Sequence, residues 1–354
     1  MISFNKKAGI MDAQFGWVFA FMIGVVILSL FTVVGFQIRD TSEQKISFEM
    51  VKTFRSVFIS GGTEVGRFFQ LDLVNVIMDY QCVDDGKTSI TSGGVSETIP
   101  LVLFSQNNLY GNRFFIYSTE WNVPFLSESV LYLASENFVF YLFEPKSSNQ
   151  VEFHTYRQVL ESVPSRFPFR VVTRGDESID VPEEGESKVI FFESPTDDLL
   201  QNFSRTPDVV LEVSPNSISD GFFGEINYYD SNNFNSPDDT AYYFGIPMLV
   251  GAFLSSYDDY TCFFNRMVSN LDNVLDLLSR RSEKLREHYY SVENSNCEVV
   301  YQGIDSGLDE YLDFVNNFNF DNYDSSDMEE WYENYENIVR LRNNADNEGC
   351  EVIY

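Results

Sequence analysis

The sequence predicts an α+β protein in three stretches: an N-terminal transmembrane helix with a stalk, a mainly antiparallel β ectodomain, and a C-terminal helical segment. Three observations predict it. Phe15 to Phe36 is a 22-residue run without a charge. From about 66 to 245 the chain consists of short apolar runs separated by turn residues. After Ile246-Pro247 the apolar residues recur at alternating four- and three-residue steps, the period of a helix.

The uncharged run covers about 33 Å as a helix, enough to cross a hydrocarbon core of about 30 Å. It places a transmembrane helix at 15–38 behind a cytoplasmic N-terminus at 1–14. A cleaved secretory signal would need a shorter apolar core and an A-x-A-like site, which Gly35-Phe36-Gln37-Ile38 does not offer. Lys6 and Lys7 precede the span and Arg39 and Lys45 follow it, so basic residues alone do not orient it. With the short N-terminus kept in the cytoplasm, residues 40–354 are extracytoplasmic. Gly16, Ala20 and Gly24 recur every four residues and place small side chains on one helix face. That face suits a helix–helix partner or a homo-oligomer within the lipid bilayer.

Beyond the span, Ile46, Met50, Phe54, Val57 and Phe58 continue a helical spacing, which gives a stalk at 39–62 ending at Gly61-Gly62. Residues 63–256 read as the β-rich ectodomain, in two sheets or lobes with a break near 145–165. Asp84-Asp85-Gly86, Ser92-Gly93-Gly94, Pro182 to Gly185 and Asn232 to Asp239 are its turns. In the helical region, 257–354, Tyr260, Phe264, Met267, Leu271, Val274, Leu278 and Leu285 predict one long helix from about 258 to 288. Shorter helical patterns follow near 307–319 and 328–343.

Charge excludes some partners. The chain carries 54 Asp and Glu against 23 Lys and Arg, a formal charge of −31, so it lacks the basic footprint that binds nucleic acid. Residues 1–39 are net +2, which leaves −33 for the rest. Such self-repulsion is relieved by salt and points to a salt-rich setting.

The start of the chain resembles an archaeal type IV pilin precursor: Lys6-Lys7-Ala8-Gly9 runs directly into the hydrophobic helix. The resemblance implies cleavage after Gly9 by a prepilin peptidase. A second resemblance rests on the run YFGIPMLVGAFLSSYDDYTC from Tyr243 to Cys262, on Trp121-Asn122-Val123-Pro124-Phe125, and on Cys82 in an early strand. These are similar to uncharacterised single-pass membrane-anchored proteins of small-genome (DPANN-type) archaea. That likeness implies a membrane helix with an extracytoplasmic domain and no assigned activity.

A search for chemistry yields no catalytic, cofactor-binding or metal-binding set. His154 and His288 are the two histidines, and His288 falls in the last turn of the long helix, where a cation suits the helix dipole. The phosphate-loop, dinucleotide, nucleophile-elbow and zinc-protease signatures are missing. Carboxylates are so numerous that no pair stands out for acid–base work. Asp321, Asp324 and Asp327 are spaced by three, and Asp230 with Asn232 begins like a calcium loop that Phe234 then interrupts. Arg174-Gly175-Asp176 reads as a turn between strands. Asn202-Phe203-Ser204 is a glycosylation acceptor pattern at Asn202.

The four cysteines are Cys82, Cys262, Cys297 and Cys350, and outside the cytoplasm they are expected to form disulfides. An unbroken helix from 260 to 288 carries the chain about 42 Å from Cys262, while nine residues return at most about 32 Å, which disfavours a Cys262 to Cys297 bond. An αα-hairpin would bring Cys297 to Cys350 and leave Cys82 for Cys262. The expected role is a non-enzymatic, membrane-anchored surface or envelope protein working by interaction or assembly. A pilin-like subunit is the alternative, and a carboxylate-dependent hydrolase of the envelope the third reading.

Overall fold

The structure is a computed structural model that describes Glu49, residues 51–59 and residues 65–351 apart from 84–85, 147, 174–175, 177–178, 182–185, 196–202, 231–235 and 319–322, together with Val25 and Ser29. It is α+β, with two mixed six-stranded sheets and six helices among the described residues.

The first sheet has the order β3-β2-β1-β5-β6-β4. Its strands are β1 (Phe68–Val83), β2 (Lys87–Ser92), β3 (Val95–Ile99), β4 (Val102–Phe104), β5 (Asn108–Asn122) and β6 (Leu126–Ser135). All its pairings are antiparallel except β4 with β6. Ser92 faces Val95 across the β2–β3 turn, whose two glycines adopt φ of +55° and +78°. That left-handed pair is what a two-residue hairpin needs.

The second sheet, β12-β11-β10-β9-β7-β8, contains β7 (Phe138–Phe143), β8 (Phe169–Val172), β9 (Glu186–Phe191), β10 (Val209–Pro215), β11 (Phe223–Asp230) and β12 (Asp239–Phe244). Here the mainly antiparallel expectation needs correction. The pairings of β10 with β9, β9 with β7 and β7 with β8 are parallel. Parallel strands are stable where both faces are covered, and this sheet is covered twice. One face meets the main core, and the other holds a second cluster in which Ile179, Val181 and Phe203 cover Tyr141, Phe143, Val189 and Phe191. The chain passes between sheets at residues 136–137. The region near 145–165 instead holds the crossover helix α2 (Gln150–Ser162), which joins parallel β7 and β8.

Before α2 in the chain, helix α1 (51–59) packs onto the first sheet. Val51, Phe54 and Phe58 are buried, and Phe54 meets Phe114 edge-on at 5.7 Å. This part of the expected stalk is therefore docked on the β domain. Helix α3 (Ile246–Leu254) runs between the sheets, against β4, β5 and β6 on one side and β12 and α2 on the other. Met248 through Leu254 are all buried, as a helix apolar on every face must be.

The long helix α4 (Tyr257–Ser291) runs unbroken and buries Tyr260, Phe264, Met267, Leu271 and Leu278 at the predicted spacing. Its Ser256 cap accepts from the Asp259 N–H. Helices α5 (Ser295–Asn317) and α6 (Ser325–Asn347) complete the helical region, with α6 against β11 and β12. Trp331 of α6 stacks on Phe244 at 4.7 Å and donates to the Tyr311 hydroxyl at 2.6 Å. Both expected disulfides are present: Cys297 is joined to Cys350 across the helical hairpin, and Cys82 of β1 to Cys262 near the start of α4.

Among the described residues no helix is long and apolar enough to cross a membrane. The predicted span at 15–38 lies outside the described residues apart from Val25 and Ser29, as do Gly9, Gly16, Ala20, Gly24 and Asn202.

Candidate functional site

A cleft of about 510 Å³ opens where the two sheets meet the junction of α3 and α4. Several separate pieces of chain build it, with Phe138 at the start of β7 among them. Gln106, Asn107 and Asn108 come from the turn between β4 and β5; Glu186, Lys188, Asp208 and Val209 from the amino ends of parallel β9 and β10. Tyr228 and Tyr229 come from the end of β11, Asp238 and Asp239 from the start of β12, and Ser255, Ser256 and Tyr257 from the helix junction. Doubly wound sheets bind ligands beyond the carboxyl ends of their strands. This cleft is at the opposite end.

Lys188 forms the floor. It is 5% exposed, and its ammonium donates to the Ser255 carbonyl at 2.6 Å. Burial pulls its pKa down to about 7, against the opposing pull of Glu186 and Asp259. Glu186 is raised above the usual carboxylate range by burial and by Asp208, with Lys188 acting the other way. Asp208 is held by the Ser187 N–H at 2.8 Å, by the Ser187 hydroxyl at 3.2 Å and by Arg205 at 3.3 Å. Burial raises the Tyr228 and Tyr257 hydroxyls, and Asp239 pushes both the same way.

The junction is fixed from behind. Asp259 accepts the Cys82 N–H at 2.6 Å and the Ser256 hydroxyl at 2.6 Å, next to the Cys82–Cys262 disulfide. A wider depression of about 750 Å³ is lined by that disulfide itself. Its Arg266 guanidinium is committed to the Gly86 and Pro100 carbonyls at 2.7 and 3.0 Å.

The structure disperses the other residues singled out by sequence. Asp324 and Asp327 form the capping box of α6, accepting its first N–H groups, and Asp321 lies outside the described residues. His154 faces Gln158 at 2.9 Å and Asp220 at 3.8 Å on α2, and His288 ends α4 beside Tyr289. Ser204, of the glycosylation pattern, accepts the Val181 N–H at 3.0 Å. Among the described residues no group of His, Cys, Asp and Glu could hold a metal ion.

Sequence reasoning missed Lys188, Gln106 and Ser255. The available signal was Lys188 itself, a charge directly preceding the apolar run Val189 to Phe192. No family profile, curated protein or solved structure matches the chain.

Proposed function

We propose that the chain is a membrane-anchored surface or envelope component whose extracytoplasmic domain acts by interaction or assembly, without catalysis. The observation that carries the reading is the pair of disulfides, which uses all four cysteines downstream of a 22-residue uncharged run. Stable disulfides belong to oxidising compartments. A span ahead of them puts the domain in such a compartment while keeping it at the membrane. Gly16, Ala20 and Gly24 would supply the helix–helix contact in the bilayer.

Membrane fractionation tests the anchor. The full chain should sediment with membranes and resist carbonate extraction, and a chain lacking residues 1–38 should be soluble. Recovery of the truncated chain only in the membrane fraction would defeat the reading. N-terminal sequencing of the same material separates an intact anchor from a pilin-like subunit, which would begin at Ile10.

A further inference from the structure

Strand β8 ends the second sheet and, among the described residues, pairs on one side only, with β7. The Phe140 N–H donates to the Pro168 carbonyl and the Glu144 N–H to the Val172 carbonyl, both at 3.0 Å. Alternate residues of a parallel strand turn their backbone groups to one neighbour, so those of Arg170 and Val172 face β7 and those of Val171 face away. Outward N–H and C=O groups are a template for another extended segment. The other sheet edges are treated differently: α6 packs against β12, Arg55 of α1 reaches Glu97 of β3, and the three residues of β4 are all buried.

A mainly apolar cavity of about 210 Å³ adjoins this edge, between β8 and the C-terminal end of α2. Leu160 and Val163 line it from the helix side. Phe169 and Val171, two residues apart and so on one face of β8, line it from the strand side. Val171 is 48% exposed, so cavity and edge meet at the surface. A helix beside an edge strand is a recurring way to hold an extended peptide: the backbone adds to the sheet, and every second side chain is offered to the pocket.

Charge selects the segment. Residues 157–172 carry Arg157, Arg166 and Arg170 against Glu161, a net of +2 within a stretch, 40–354, that is −33 overall. All three arginines are exposed. Glu161 is paired with Arg157 at 3.9 Å, and the Arg170 guanidinium lies over the Tyr141 ring at 6.0 Å. At about 0.15 M salt the Debye length is about 8 Å, so a docked segment feels these arginines while more distant carboxylates are screened. Two copies of this chain meeting edge to edge would bring like arginines together, which disfavours a second copy as the occupant.

We propose that the groove between α2 and β8 docks an extended acidic segment of a partner protein, which adds a strand to β8 and places an apolar side chain in the cavity. Val171 supplies the backbone pairing, and Arg166 and Arg170 meet the segment's carboxylates. The assignment rests on the interaction role proposed above and names the surface and the class of partner.

The test uses the full chain in phosphatidylcholine nanodiscs and fluorescence anisotropy of short, capped, labelled peptides. One peptide alternates glutamate with valine around a central leucine. A second has lysine in place of each glutamate, and a third keeps the first sequence on an N-methylated backbone that cannot donate. The acidic peptide should bind saturably, with the other two at least about tenfold weaker. Hydrogen exchange should show the Val171 amide gaining protection in its presence. Val171→Pro deletes the outward donor, which β7 does not use, and should weaken the acidic peptide severalfold. Arg170→Glu, at an exposed position, should turn the preference toward the lysine peptide, and it carries the test if the proline variant does not fold. Absence of saturable binding by the acidic peptide would overturn the proposal, as would comparable binding of all three peptides. So would an affinity for the acidic peptide that is unchanged in both variants. Self-association of the chain that Val171→Pro abolishes would make a second copy the occupant and overturn it as well. None of these alters the fractionation result, so failure here is distinct from failure of the anchor.

Discussion

Lys188 is one of eight lysines in the chain, and in β9 the residues from Ser187 to Phe191 are all buried. Its pKa near 7 lies well below its ordinary value. Between the two values the unfolded chain binds more protons than the native one, so this group's contribution to stability rises with pH. The buried tyrosines, Tyr132 and Tyr260 among them, act oppositely above about pH 10, where they ionise more readily when unfolded. The window to read is therefore about pH 7 to 9.5. Lys188→Met keeps the length and removes the charge. Its stability relative to the native chain should be greatest at the acid end of that window and shrink toward the alkaline end in denaturant titrations. A constant difference would mean that desolvation of the ammonium is not the cause.

A second residue tests packing against helix propensity. Glycine to alanine inside a helix normally stabilises by about 1 kcal/mol. At Gly251 of α3 the new Cβ would stand 2.7 Å from ring atoms of Phe104. Both groups are buried in the main core, where overpacking costs about 1–3 kcal/mol. Gly251→Ala should therefore lower the melting temperature rather than raise it.

At the scale of elements, what was legible in the sequence was what has a strong local period. The three-and-four spacing from Tyr260 to Leu285 located α4 because a helix against a flat partner buries one stripe. The helices of the terminal hairpin were found but cut short: α5 begins twelve residues before the predicted start at 307, because Cys297, Tyr301 and Ile304 already bury its first turns. Strand direction was not legible. A strand buried on both faces, such as Phe138–Phe143, is an apolar run without alternation, and nothing local tells which way its neighbour points. The candidate cleft was even less so, since its groups come from widely separated segments and a buried glutamine is spelled like an exposed one. For the hairpin, a Cys297→Ser, Cys350→Ser pair opens a loop with a separation of 53 residues. The chain-entropy cost is about 4 kcal/mol. Hydrogen exchange should show α5 and α6 losing protection first, with β1 and β5 retaining theirs. Uniform loss of protection would instead make the helical region and the sheets one cooperative unit.

For the whole molecule, charge and core pull in opposite directions. A core shared by both sheets and the helices holds together a surface that carries most of a −33 excess over residues 40–354. At molar salt the Debye length falls to roughly 3 Å, which removes repulsion between most exposed carboxylates. The melting temperature should rise from low to molar sodium chloride, and a flat response would count against adaptation to a salt-rich setting.

The Cys82–Cys262 bond also decides how the protein would respond to being pulled. It bridges a separation of 180 residues, and the enclosed stretch contains β7 to β12 and the walls of the cleft. Tension applied between the N-terminal side of β1 and the C-terminus passes across this bond directly to α4, so the enclosed polypeptide carries no load. About 600 Å of contour length stays locked away while the bond is intact. In a single-molecule pulling trace that length should be released only after reduction. A cleft inside a covalently closed ring would keep its shape on a tethered molecule under shear.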